Sequence, residues 1–230
     1  MKPKIRNFGI GSLVLGLGLT LSSCNQAPVN SQDYAFAGRR NTTLPAQEYS
    51  GTQVGASSEG LLVNGGFYSG YEAFKGAHNT RVTNGEFSGP YAFFASQNIT
   101  ITGGLFTGRK ALEWSQGATI TGGYFSGDDA FNGATNITVY LPNGHIRSLA
   151  FPESGVVVAR SIGTIHADSL SSDNPCIIFT TDYELADYLS PELRTAIEKK
   201  IRVIDTSDLR EDVTSENLDE IIQALQTRFR

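Results

Sequence analysis

The stretch that decides the fold runs Asn98-Ile99-Thr100-Ile101-Thr102-Gly103-Gly104-Leu105-Phe106-Thr107-Gly108. Ile99 and Ile101 alternate with Thr100 and Thr102, the period of two that gives a strand one apolar face. The glycine pair then turns the chain, because glycine accepts positive φ at little steric cost. Leu105-Phe106 begins a second strand, Thr107-Gly108 ends it, and a third short segment carries Ala111-Leu112. This pattern recurs every 19 residues. Its register reads Tyr49-Ser50-Gly51, Tyr68-Ser69-Gly70, Phe87-Ser88-Gly89, Phe106-Thr107-Gly108 and Phe125-Ser126-Gly127. Ala73, Ala92, Ala111 and Ala130 each precede an apolar residue (Phe74, Phe93, Leu112, Phe131), and Val63, Val82, Ile101, Ile120 and Val139 form a β-branched column. Such a fixed period specifies stacked coils, each strand pairing in parallel with its equivalent about 4.8 Å away.

The columns sort into inside and outside. Thr80/Ile99/Ala118/Ile137, the β-branched column, the aromatic column and the alanine column point inward; the alanines suit a sharp corner with little room. Asn79, Asn98 and Asn136 share a turn column, where Asn tolerates the left-handed conformation. The outward columns change from coil to coil: Glu72, Tyr91, Lys110, Asp129 in one, and Lys75, Phe94, Glu113, Asn132 in another. On these residues, from Tyr49 to Asn143, the chain resembles the right-handed parallel β-helix proteins, the broad pectate-lyase-like group, whose repeats often read Asn-Ile-Thr-Ile-Thr-Gly-Gly. The resemblance implies an all-β solenoid, a single-stranded right-handed parallel β-helix of about five 19-residue coils followed by irregular ones. It implies little about activity, because such helices serve many unrelated functions.

The N-terminus has a different grammar. Lys2, Lys4 and Arg6 precede an apolar run from Phe8 to Leu21, then Leu21-Ser22-Ser23-Cys24. The run is short for a membrane span and fits a signal peptide. Leu-Ser-Ser-Cys resembles a bacterial lipobox, which implies that the Cys24 sulfur receives a diacylglycerol, that the peptide is cut before it and that the new amine is acylated by a palmitate-type chain; two or more chains anchor stably where one would not. The expected division is therefore a lipoprotein signal peptide at 1–23, a flexible tether at 24–48, the β-helix at 49–170 and a C-terminal α/β cap at 171–230. Asn25 after the cysteine favours the outer membrane over the inner. The expected location is the bacterial cell envelope, with the membrane as partner through Cys24.

With Cys24 acylated, Cys176 is left without a partner, so neither a disulfide framework nor a cysteine metal site is available. Formal net charge is −5, the basic residues of the leader included, and Lys/Arg are not clustered. That composition speaks against nucleic acid as a partner. No cofactor and no metal site is expected, and the sequence does not specify an oligomeric state.

Candidate functional residues lie on the outward columns. Tyr91, Phe94 and Trp114 could stack on sugars, with Tyr71 beside them. Trp114, the only tryptophan, stands where the other coils carry Gly76, Ala95 and Gly133. Arg109, Lys110, Glu113, Asp128 and Asp129 gather near one corner and are the catalytic candidates, since glycoside hydrolysis needs two facing carboxylates and lyases of the resembling group use basic residues. A cross-coil Lys110–Asp129 salt bridge explains the same residues without catalysis. The leading expectation is a lipid-anchored envelope module that binds or scaffolds polysaccharide or peptidoglycan. A polysaccharide lyase or glycoside hydrolase, or a purely structural surface protein, are the alternatives.

Past Leu141-Pro142-Asn143-Gly144 the repeat decays, although His145–Phe151 and Gly155–Ala167 still read as strands. Cys176–Thr181 reads as a strand and Asp182–Leu189 as helical. Ser190-Pro191-Glu192 opens a helix to about Lys200, with Ser190 as its N-cap. After a strand at Ile201–Ile204, Thr214 or Ser215 caps a last helix with Leu218, Ile221, Ile222, Leu225 and Phe229 on one stripe. Open strand ends invite aggregation, so this acidic segment is expected to cap the solenoid, with a partner-binding module as the alternative.

Overall fold

The computed structural model describes residues 29–171, 173–214 and 216–229. The proposed signal peptide and Cys24 lie outside the described residues. The chain is a parallel β-solenoid of about nine turns with a small helical part at its C-terminal end. Its strands are β1 (Val29–Asn30), β2 (Thr43–Leu44), β3 (Glu48–Tyr49), β4 (Leu62–Tyr68), β5 (Arg81–Phe87), β6 (Thr100–Phe106), β7 (Thr119–Phe125), β8 (Ile137–Ala150), β9 (Gly155–His166), β10 (Ile177–Leu185) and β11 (Ile201–Val203). Every pairing is parallel, and the β-branched column stacks in register: Val63 on Val82, Ile101, Ile120 and Val139. Residues 29–48, read above as tether, carry β1 and β2 and pair with the coils that follow. Tyr34 and Asn41 already occupy the left-handed corner positions of the later repeats. Charged and proline-bearing coils lack the apolar signature that makes the others readable.

The 19-residue spacing is a consequence of what stacks inside. Tyr49, Tyr68, Phe87, Phe106 and Phe125 are buried and nearly parallel, with successive ring centroids 4.9, 5.0, 4.7 and 4.6 Å apart. That spacing is the inter-strand distance itself, so each ring rests on the one below. The glycine after each hydroxyl residue has a steric cause: a Cβ at Gly108 would collide with the carbonyl oxygen of Gly89. The coils can approach at this corner only without side chains.

The third expected segment, Ala111-Leu112, is a turn and not a strand. The turns still stack through backbone bonds, such as Phe93 N–H to the Ala111 carbonyl at 2.7 Å and Leu112 N–H to that of Ala130 at 2.9 Å. Two left-handed residues in each turn (Lys110 and Trp114 in this coil) bend the chain too tightly for a strand.

The C-terminal part covers two surfaces. Helix α1 (Pro191–Glu198) is capped by Ser190, whose hydroxyl accepts from Leu193 N–H, as its sequence predicts. Its buried Ile197 joins Leu189, Ile178 and Cys176 in the main core, so α1 closes the solenoid's end. Helix α2 (Leu218–Arg228) lies on the side of the barrel. Leu218, Ile221, Ile222 and Leu225 pack with the outward-facing Tyr140, Val158 and Phe179 of β8–β10 in a second core. Its N-cap is Asn217. Asp182–Leu185 continues β10 where a helix was expected. Exposed Asp182 and Glu184 alternate with half-buried Tyr183 and Leu185, and Tyr183 pairs with Ile162 of β9.

Candidate functional site

The turn that recurs in each regular coil makes one corner of the solenoid. It carries the outward columns, and its left-handed residues are Tyr34, Gln53, Glu72, Tyr91, Lys110 and Asp129. In each coil the N–H of that residue bonds a carbonyl of the next: Glu72 to Pro90, Tyr91 to Arg109, Lys110 to Asp128. The series stops at Asp129, because β8 and β9 run on as long strands without this turn. There the Ser148 hydroxyl accepts from Asp129 N–H at 3.3 Å, and the Ser154 hydroxyl accepts from Asn136 N–H at 2.8 Å.

The step left by the missing turn is a groove of about 860 Å³. Arg109, Lys110, Trp114, Asp128, Asp129 and Asn132 form the corner side of it, and Arg147, Ser148, Glu153, His166, Asp168 and Tyr188 come from the irregular coils. Trp114 and Tyr188 are 64% and 70% exposed, unusual for large rings in a folded chain. Trp114 takes φ +56°, a conformation foreign to bulky residues, and lies over Gly133, where an added Cβ would be 2.5 Å from its Cδ1. The small residue beneath makes room for the indole.

A polar cluster lines the groove. Asp129 Oδ1 is 2.8 Å from His166 Nε2, and Ser148 Oγ is 3.1 Å from the same nitrogen. Serine and carboxylate therefore share one ring nitrogen, unlike a Ser–His–Asp triad, in which they meet opposite nitrogens. Arg147 reaches Asp128 at 3.8 Å and donates to the Ser126 carbonyl at 3.3 Å. Partial burial, then the carboxylates of Asp129 and Asp168, push the Tyr188 phenol upward from its ordinary value.

Of the sequence candidates, Arg109, Lys110, Asp128, Asp129 and Trp114 meet at the groove. Glu113 is buried behind it, accepting from Lys110 at 2.7 Å and from Asn132 at 2.7 Å. That hydrogen bond, with the attraction of the same carboxylate, holds the Lys110 ammonium above its ordinary pKa. The cross-coil Lys110–Asp129 bridge is thus replaced by a bridge within one coil, and Asp129 turns to His166. Tyr91 and Phe94 lie off the groove, on the corner beside Trp114. Ser148, His166, Arg147 and Tyr188 escaped the sequence reading. One signal was available: Ser148 stands 19 residues after Asp129 and His166 stands 18 after Ser148, so the coil spacing persists after the motif fades.

Fold and groove define a parallel β-solenoid with a lateral cleft where its regular corner ends. The chain belongs to the DUF3737 family, described as protein of unknown function, which it matches over residues 32–179. That span includes the whole regular corner and all the groove residues named above except Tyr188. No curated protein and no solved structure matches the chain.

Proposed function

We propose that this protein is a cell-envelope module that binds glycan in the groove, held to a bacterial membrane, with the outer membrane favoured, by lipid on Cys24. The observation that carries the binding reading is the pair of exposed rings, Trp114 and Tyr188, standing among hydrogen-bonding side chains in one groove. Aromatic faces with polar tips suit sugars, whose C–H faces stack while their hydroxyls bond at the rim.

The charge in the groove narrows that class. Arg109, Lys110 and Arg147 face Asp128, Asp129, Glu153 and Asp168. A polyanionic uronate gains nothing from this balance, whereas a neutral or N-acetylated sugar meets Asn132, Ser148 and the Tyr188 hydroxyl without charge repulsion. Glycan strands built on N-acetylglucosamine, as in peptidoglycan, are the fitting ligand. Binding is favoured over cleavage because Asp129 is engaged by His166, and Glu113 by Lys110 and Asn132.

Trp114 is the only tryptophan, so its own emission reports binding. Titration with N-acetylglucosamine oligomers is expected to shift that emission saturably, and Tyr188→Ala to weaken binding about tenfold or more. An unchanged emission, with no heat of binding by calorimetry for any oligomer, would sink the reading. For the anchor, a palmitate analogue is expected to label wild type and not Cys24→Ala; labelling of both rejects it.

A further inference from the structure

An aromatic stripe leads along the corner into the groove, and we infer that it extends the glycan site, so that one linear glycan chain lies across three coils and enters the groove at Trp114. The inference rests on the groove reading above. Tyr71, Tyr91, Phe94 and Trp114 come from three successive coils and touch in sequence. Centroids of Tyr71 and Tyr91 are 5.2 Å apart, those of Tyr91 and Phe94 are 5.9 Å, and those of Phe94 and Trp114 are 6.0 Å with planes 24° apart. Tyr71 and Trp114, at the two ends, are exposed. Trp114 belongs to both surfaces, lining the groove and closing the stripe, so the two are continuous.

The fold does not require these rings. The column of Tyr71 holds Pro90, Arg109 and Asp128 elsewhere, and that of Trp114 holds Gly76, Ala95 and Gly133. Nor are the rings loose. Lys75 Nζ sits 5.2 Å over Phe94 and Lys110 Nζ 5.8 Å over Tyr91, and each ammonium is tied to a glutamate of its own turn, Glu72 at 2.9 Å and Glu113 at 2.7 Å. A cation over the ring and a carboxylate behind the cation fix the two inner rings, Tyr91 and Phe94, before any ligand arrives. The coil rise of about 4.8 Å is comparable with the length of one pyranose, so successive coils can offer a ring to successive sugars. A lone exposed aromatic needs no explanation, but a pinned, continuous row does.

The test compares N-acetylglucosamine oligomers from disaccharide to octasaccharide on wild type, Tyr71→Ala and Tyr71→Phe by calorimetry. Wild type is expected to bind the octasaccharide more tightly than the disaccharide. Tyr71→Ala is expected to lose about fivefold to tenfold on the octasaccharide and nothing on the disaccharide, and Tyr71→Phe to retain both. Disaccharide and octasaccharide binding equally, with Tyr71→Ala silent, overturns the extension and leaves the groove reading standing. Failure of every oligomer on wild type overturns both. Equal weakening of both ligands by Tyr71→Ala, with an unchanged melting curve, places Tyr71 inside the groove's own site and also overturns the extension.

Discussion

Replacing Phe106 by alanine probes the source of the 19-residue period. The ring is buried and sandwiched, 4.7 Å from Phe87 below and 4.6 Å from Phe125 above. Transfer of a buried aromatic contributes about 2 kcal/mol. Two stacked contacts add about 1 kcal/mol each beyond that area. The expected loss is about 4 kcal/mol, inside the range for Phe→Ala in cores. Phe106→Leu refills most of the volume without the ring. It should cost about 1.5 kcal/mol, because Leu112 already occupies the neighbouring Phe74/Phe93/Phe131 column fully buried. The assay is guanidinium denaturation followed by circular dichroism and, separately, by Trp114 emission from the next turn of the corner. Coils in a solenoid couple chiefly to their neighbours, so both signals should move to lower denaturant together. A loss below about 1.5 kcal/mol for the alanine variant would refute the argument, since the ladder would then be a consequence of the coil spacing and not its cause.

Three further outcomes are expected. Gly108→Ala places a methyl group against the Gly89 carbonyl and should cost about 3 kcal/mol or more by the same denaturation assay, although its side chain is the smallest available; a loss under about 1 kcal/mol would show that the coils can part cheaply. Burial raises the phenols of Tyr49, Tyr68 and Tyr140 and lifts the Cys176 thiol to about 12. All four hold their protons more tightly folded than unfolded, so stability should be full below about pH 9 and fall as pH rises beyond it, with Tyr68→Phe falling less steeply; a flat profile to about pH 11 contradicts this. Gly133→Ala should push the Trp114 indole off its seat, changing its emission and weakening oligomer binding, while the denaturation midpoint moves by little more than about 1 kcal/mol; unchanged emission would mean that the ring does not rest there.

Legibility in this chain follows the physics of repetition. Positions facing the core had to be alike in every coil, so Val82, Ile101 and Ile120 or Phe87, Phe106 and Phe125 declared the fold outright. The corner hid its geometry because positive φ is not written in residue type: Glu72, Tyr91, Lys110, Trp114 and Asp129 all adopt it, imposed by backbone bonds to the next coil. Asp182–Leu189 reads as helical, yet β9 was waiting to pair and tertiary context prevailed. Tyr140 points away from the solenoid core and is still fully buried, because α2 returns from far along the chain to cover it. Half of the candidate site was readable in the same way. Its corner side belongs to the repeat; its other side comes from coils whose motif had already dissolved.

The position of the groove follows from how a stack of corners must end. Every left-handed turn leaves N–H groups facing the next coil, and the next turn's carbonyls satisfy them. After Asp129 no such turn follows among the described residues, so the donors of the last corner need other acceptors, since an unpaired buried N–H costs as much as a lost hydrogen bond. Ser148 and Ser154 each supply a hydroxyl oxygen, to Asp129 and Asn136 N–H, beside a backbone carbonyl, to Ala130 and Ile137 N–H. The long strands β8 and β9 take the place of the turn, and the step between the two surfaces becomes a groove. Ser148 takes the next place in the column of Asp129, whose carboxylate meets His166, and Trp114 rests on Gly133 of the last regular turn. Termination of the repeat and creation of the site are one structural event, which is why Trp114, Asp129 and His166 meet there.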